Sequence, residues 1–281
     1  MNKTLIENQH FTGERALFKT NDAEIRNCLF DNGESPLKES KSLHIEGCTF
    51  GYKYPLWYGE DFEVKNSTFL ELARAGIWYT NNSSFKHLNI DAPKQFRHCK
   101  GIVIEDVAFS KAEETLWWCD NVTFKNVKAT GNYLFMQSKN ILVSGLELNG
   151  DYAFDGVENL TVRESILHTK DAFWNAKNVL VENSTIEGEY FGWNAENVTL
   201  KNCKIKSHQG FCYMKGVTLI NCEVEGDLIF EYCSDIHAEI TTSVDSIKNP
   251  FSGEIKIEEV KDLIFDDPKI DPSKTIIEVS K

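Results

Sequence analysis

Positive charge is scarce in this chain. Lysine and arginine number 30 against 43 aspartates and glutamates, a net charge of −13, the wrong sign for following a phosphate backbone or settling on an anionic lipid surface. Nucleic acid and membrane are therefore not expected partners. Long apolar runs are missing too: none approaches the ~18 to 20 residues of a membrane span, and Met1 to Glu14 holds no apolar segment of the kind a secretion leader carries. A cytoplasmic location is expected. The eight cysteines include no Cys-x-x-Cys pair and the seven histidines show no ligand spacing, so neither a metal nor another cofactor is expected. No nucleophile elbow, P-loop or dinucleotide fingerprint is present. What remains is a chain of 281 residues, 41% hydrophobic and 26% charged, long enough to bury a substantial core.

What the chain does have is a repeat. Segments beginning Asn121-Val-Thr-Phe, Asn140-Ile-Leu-Val, Asn159-Leu-Thr-Val, Asn178-Val-Leu-Val and Asn197-Val-Thr-Leu follow one another at intervals of 19 residues. The first apolar position of each unit extends the series in both directions: Ala23, Leu43, Phe62, Ser83, Ile102, Val122, Ile141, Leu160, Val179, Val198, Val217 and Ile236. The residue before each is almost always Asn, Asp or Gly, the types that tolerate a left-handed backbone, so this column reads as one sharp corner made once per unit. After the corner, apolar and polar residues alternate with period two, as in short strands. A further column holds Phe135, Phe154, Phe173, then Gly192, then Phe211 and Phe230, a phenylalanine ladder with one gap.

Units too short for a helical crossover, with like residues in register, describe an all-β chain coiling as a right-handed parallel β-helix of about twelve coils. The period matches neither the hexapeptide of left-handed coils nor the nonapeptide of calcium-binding ones. A single domain is expected, with repeating coils over residues 23–240, an N-terminal cap over 1–22 and a C-terminal cap over 241–281. The cysteines fall mostly into two columns shared with serine, valine and alanine, and read as small core fillers. The Asn-x-Ser/Thr matches arise from the repeat itself and carry no glycosylation message.

If the phenylalanine ladder points inward, the next residue points out. That column contains Leu37, Trp57, Arg97, Leu116, Met136, Asp155, Trp174, Trp193, Cys212 and Glu231, with Trp78, Trp117 and Trp118 close to it. All six tryptophans thus gather on one stripe. Aromatic platforms interleaved with Arg97, Glu114, Asp155 and Glu231 suit an oligosaccharide, whose apolar faces stack on rings while its hydroxyls bond to charged groups. The same stripe also suits self-association, or simple covering of a sheet. Catalytic residues stay unassigned: Asp155 and Glu231 lie four coils apart, about 19 Å at sheet spacing, too far for a glycosidase pair. Asp151, Lys170, Glu189, His208 and Asp227, at repeat spacing, read as a surface charge ladder.

The non-repeating words Gly13-Glu-Arg-Ala-Leu-Phe18, Gly33-Glu-Ser-Pro-Leu-Lys38, Tyr54-Pro-Leu-Trp-Tyr58, Ala73-Arg-Ala-Gly-Ile-Trp-Tyr-Thr80, Glu114-Thr-Leu-Trp117 and Lys170-Asp-Ala-Phe-Trp-Asn175 resemble a bacterial family of unknown function in the pectin-lyase-like superfamily of right-handed β-helices. The resemblance implies the fold and no established activity. That superfamily includes polysaccharide lyases, polygalacturonases and epimerases, but the polygalacturonase triple-aspartate and Gly-His-Gly words are missing here, and no catalytic residue carries over. The expected function is binding of a glycan or glycoconjugate along the tryptophan stripe. The alternatives are a scaffold that forms homo-oligomers through the same face and, third, an enzyme of the lyase, hydrolase or epimerase kind.

Overall fold

Because each unit places its apolar residues at alternate positions after a left-handed corner, the chain can bury them only by coiling so that successive units lie in register. A computed structural model describing residues 4–280 has this arrangement: an all-β, right-handed parallel solenoid of about 15 turns with a period of about 19 residues. Every one of the corner residues Asp22, Ser42, Asp61, Asn82, Gly101, Asn121, Asn140, Asn159, Asn178, Asn197, Gly216 and Asp235 has a positive φ, from 50° to 72°. The chain divides into two compact units, Met1–Leu142 and Val143–Lys281.

In the first unit, Thr4–Glu7, Asn21–Arg26, Lys41–Glu46, Glu63–Lys65, Asn81–Ile90, Lys100–Phe109 and Asp120–Thr130 pair in sequence, all parallel. The register joins Thr4 to Ala23, Ala23 to Leu43 and Ile102 to both Ser83 and Val122. Within each turn a second short strand carries Phe11, Phe30, Phe50 and Phe69, whose rings stack at 5.0, 5.1 and 4.7 Å, near one strand spacing.

In the second unit, Glu158–Arg163, Lys177–Glu182, Glu196–Lys201, Lys215–Asp227, Ser234–Lys248, Gly253–Ile264 and Thr275–Val279 continue the pattern. Leu160, Val179, Val198, Val217 and Ile236 stand in one column. The phenylalanine ladder points inward: Phe154 and Phe173 stack at 5.2 Å with planes 11° apart, and Phe211 stacks on Phe230 at 5.1 Å. The gap at Gly192 is filled from the side. Phe191 turns its ring into the stack, 5.4 Å from Phe173 and 4.9 Å from Phe211, while a Cβ on Gly192 would meet the Met214 sulfur at 2.7 Å. Truncating one of these rings, as in Phe173→Ala, costs about 3 to 5 kcal/mol in a packed core.

Of the segments expected as caps, residues 1–3 and 281 lie outside the described residues, and the rest carries further rungs. Thr4–Glu7 forms a rung against Ala23–Arg26, and Gly253–Ile264 and Thr275–Val279 extend the sheet beyond Ile236, which is why there are more turns than twelve. All eight cysteines are buried and free. Their column does more than fill space: its Sγ and Oγ atoms accept backbone N–H groups from the rung below, as from Cys28 to Cys48 and from Cys48 to Ser67. These N–H groups sit just past a left-handed residue, where the backbone ladder is interrupted, and the side chain supplies the missing acceptor.

Candidate functional site

The expected stripe separates into two groups of residues, one in each unit. In the first unit, Trp57, Trp78, Arg97 and Trp117 form one outward column: Trp57 stacks on Trp78, and bridges join Trp78 to Arg97 and Arg97 to Trp117. Leu37 and Leu116, expected in that column, lie one position earlier and are buried. Each indole here folds back across the turn and donates its N–H to a corner carbonyl of the next coil. Trp78 reaches Lys94 O at 2.7 Å and Trp117 reaches Tyr133 O at 2.6 Å, while Trp57 bonds to Ala75 O. The ring faces are covered as well. Trp57 and Trp78 stack at 5.2 Å with planes 9° apart, and the Arg97 guanidinium lies 5.0 Å from the Trp78 ring and 4.3 Å from the Trp117 ring.

Arg97 is only 9% exposed. Its Nη2 donates to Glu114 Oε2 at 2.6 Å and to Glu114 O at 3.2 Å, and Lys94 approaches the same carboxylate at 3.0 Å. Partial burial pushes the Glu114 carboxyl up, yet the hydrogen bonds from Lys94 and Arg97 hold it below its ordinary value. Arg97 and Glu114 are thus bound to each other rather than held out toward a ligand. Beside this column, Tyr58, Tyr79, His98 and Trp118 stack at 4.8, 5.0 and 4.8 Å with planes 5° to 8° apart. All four occupy left-handed backbone with φ between 53° and 57°, an unfavourable conformation for a bulky residue that the stacking offsets.

The second unit is built differently at the same place. Asp155, Trp174, Trp193, Cys212 and Glu231 follow one another at intervals of 19 residues. Cys212 and Glu231 are buried, and Glu231 is fully engaged, accepting from Gln209 Nε2 at 2.7 Å and pairing with Lys248 at 3.0 Å. Trp174 and Trp193 are the contrast. Three residues before each, where the first unit has left-handed Ala75, Lys94 and Glu114, the chain is extended: Asp171 pairs with Tyr190, and Tyr190 with Gln209. No turned corner stands beneath these indoles, and among the described residues neither donates to a carbonyl. Among the described residues no ring stacks on Trp174, which is 38% exposed.

The result is a groove of about 330 Å³ lined by Tyr152, Lys170, Asp171, Trp174, Tyr190 and Trp193. Asp171 is the residue that sequence reasoning missed. It is 5% exposed, followed by buried Ala172 and Phe173, and its Oδ1, closed off from solvent, has no donor among the described residues. Burial, and after it the Asp155 charge, pushes its carboxyl up to about 7, against the opposing pull of Lys170. Its signal in the sequence was a carboxylate placed directly before two core residues. Asp155 itself is half-buried and accepts from Asn175 Nδ2 at 3.3 Å. The expected charge ladder outlines one edge of the groove: Lys170 pairs with Glu189 at 3.2 Å, and Asp151 accepts from the Lys170 N–H at 3.0 Å.

An aromatic track leads away from the groove. Trp193, Tyr213, Tyr232 and Phe251 follow at 5.0, 5.1 and 5.6 Å, with planes tilted by 36°, 38° and 42°. Tilting uncovers ring faces that parallel stacking would hide, and Tyr213 and Phe251 are exposed.

The chain belongs to the family described as "Protein of unknown function (DUF3737)", which matches residues 4–278. No curated protein matches it. Among solved structures it is similar to PfbA, a surface adhesin of Streptococcus pneumoniae, at 8% identity and a TM-score of 0.39, covering 99% of this chain and 84% of that one. It is also similar to the tailspike protein of E. coli bacteriophage HK620 in complex with pentasaccharide, at 10% identity and a TM-score of 0.38, over 87% of this chain and 60% of that one. A third is the A-module of the mannuronan C-5 epimerase AlgE4 of Azotobacter vinelandii, at 8% identity and a TM-score of 0.32, over 97% and 87% of the two chains.

Proposed function

We propose that this member of the DUF3737 family binds a carbohydrate in the groove of its second unit, with one sugar ring against Trp174 and the chain continuing along the aromatic track. The observation that carries this reading is the uncovered indole of Trp174 beside a buried, unpartnered carboxyl in a groove of about 330 Å³. A pyranose offers an apolar face that stacks on such a ring and hydroxyls that bond to polar groups at its edge. Lys170 and Tyr190 supply those groups, and the tilted rings of Trp193, Tyr213 and Tyr232 offer further faces at about one rung each. Trp57, Trp78 and Trp117 take no part, because their N–H groups are already bonded and their ring faces are covered by each other or by Arg97.

A glycan array tests this directly. The protein is expected to retain at least one oligosaccharide, with affinity reduced tenfold or more in Trp174→Ala while the circular dichroism spectrum stays that of the wild type. Retention of no glycan, or binding indifferent to Trp174→Ala, overturns it. A concentration-dependent dimer broken by Tyr213→Ser, with no glycan retained, would replace it with self-association through the aromatic track.

A further inference from the structure

We propose that the glycan held in this groove carries a positive charge, and that Tyr152, Trp174, Tyr190 and Trp193 box its ammonium group. This rests on the carbohydrate reading above and deepens it by naming the substituent that the site selects.

The box follows from the repeat. Tyr152, Asp171 and Tyr190 stand 19 residues apart, as do Trp174 and Trp193, so two tyrosines and two tryptophans are brought together on neighbouring rungs, and all four line the groove. The planes of Tyr190 and Trp193 meet at 90° with centroids 6.5 Å apart. In the first unit, near-parallel rings such as Tyr58 and Tyr79 hide their faces in one another. Rings at right angles form a corner instead, and a corner presents more than one π surface to a round cation. Trp174 adds an indole that no ring covers among the described residues, 38% exposed. A cation over the face of an aromatic ring is attracted by the ring's quadrupole, and a cage of several such rings is a receptor for alkylammonium groups.

One wall already holds a cation. The Lys170 ammonium lies 6.0 Å from the Tyr190 centroid, at the outer limit of such a contact, and Glu189 draws it at 3.2 Å. The protein's own side chain thus shows that the Tyr190 ring accepts positive charge, and leaves Trp174 for a ligand.

The surroundings have the complementary sign. Asp151 accepts from the Lys170 N–H at 3.0 Å, and Asp171 lines the groove with the Asp155 charge acting on it. Glu189 is held charged, because hydrogen bonds from Lys170 and then Tyr190 keep its carboxyl below the ordinary value. Against these four carboxyl groups stand Lys170 and, near Glu189, His208. None of the four needs to touch the ligand, since charges beside a groove walled by low-dielectric rings act through space. An ammonium gains from that field and a uronate loses. The ligand class is therefore a glycan bearing an alkylammonium, either the free amine of a 2-amino sugar or a quaternary ammonium on a substituent.

The test compares cationic probes with neutral twins by titration calorimetry on the full chain at pH 7. One pair is the glucosamine tetrasaccharide and its fully N-acetylated form. The other is choline and 3,3-dimethylbutan-1-ol, which has the same shape without the charge. At least one cationic probe is expected to bind tenfold or more tightly than its twin, and to lose tenfold or more in Trp174→Ala. Preference within the first pair assigns the amino sugar, and within the second the quaternary ammonium. Lys170→Gln, which frees Glu189 and the Tyr190 face, should tighten choline about threefold; weaker binding there would mean that the lysine and not the rings holds the ligand, and overturns the box. A cation attracted only by the net charge of the chain would be indifferent to Trp174→Ala, and that result overturns it as well. Neutral glycans that bind in a Trp174-dependent manner as tightly as the cationic probes overturn the charge selection and leave the carbohydrate reading standing. Choline bound in the box with no glycan retained on the array overturns the carbohydrate reading and leaves the box. Failure of every probe and every glycan overturns both.

Discussion

The two units carry tryptophan at the same position of the repeat and use it in opposite ways. In the first, left-handed corners at Ala75, Lys94 and Glu114 present carbonyls or a carboxylate that Trp57, Trp78 and Arg97 seize, and near-parallel stacking hides the ring faces. In the second, the corner is straightened into the strand pairing of Asp171, Tyr190 and Gln209. The indoles lose their anchors and a carboxyl becomes buried beside them. The same residue type therefore stabilises one unit and leaves the other with an open, electrostatically uncomfortable groove. Aromatic content alone does not distinguish the two; the backbone conformation three residues upstream does.

The comparison can be broken most severely at Asp171. Its carboxyl keeps a proton up to about pH 7 in the folded chain but gives it up near its ordinary value when unfolded. Between those values the folded state binds more protons, so stability is full below the lower value, declines as pH rises to about 7, and is level above. Asp171→Asn should leave stability at pH 4 unchanged and raise it by up to about 4 kcal/mol at pH 8. Urea denaturation at the two pH values checks this; a destabilised variant at pH 8 would mean that the second unit is no less settled than the first.

Arg97→Ala comes next. It uncovers two indole faces and leaves Glu114 with Lys94 alone, a loss of about 2 to 3 kcal/mol by urea denaturation. A loss under about 0.5 kcal/mol would show that the closed column contributes nothing. Tyr79→Ala interrupts the parallel stack between Tyr58 and His98 and should cost about 1 kcal/mol, since it also relieves a left-handed backbone of its bulk. The smallest effect is expected at Trp174→Ala, within about 0.5 kcal/mol of wild type by the same measurement. A loss as large as that of Arg97→Ala would make Trp174 a structural residue.

The corners were legible in the sequence because few residue types accept a positive φ, so Asn140, Asn159 and Gly216 announce themselves. The phenylalanine ladder was legible for the same reason of repetition. Phe191 was not, because it enters the stack from a neighbouring position and breaks the spacing. The outermost rungs were hidden too. Thr4–Glu7 faces solvent on most of its residues, and the last rungs pair at shorter and longer intervals than the period. Of the site, Trp174, Trp193 and Asp155 could be placed by counting. Asp171 could not, because whether residues 170–172 turn or extend is decided by pairing with the next coil and not by local preference.

A coil in which residues meet partners about 19 positions away in a chain of 281 has a relative contact order of only ~0.07, the range of helical bundles rather than of sandwiches and barrels. Strand pairing here asks for no long search: two periods suffice to make the first rung, and each later one adds to a template already formed. Refolding within each unit should accordingly be fast for an all-β protein, in milliseconds by stopped-flow dilution from urea, and could begin on a nascent chain well before synthesis ends.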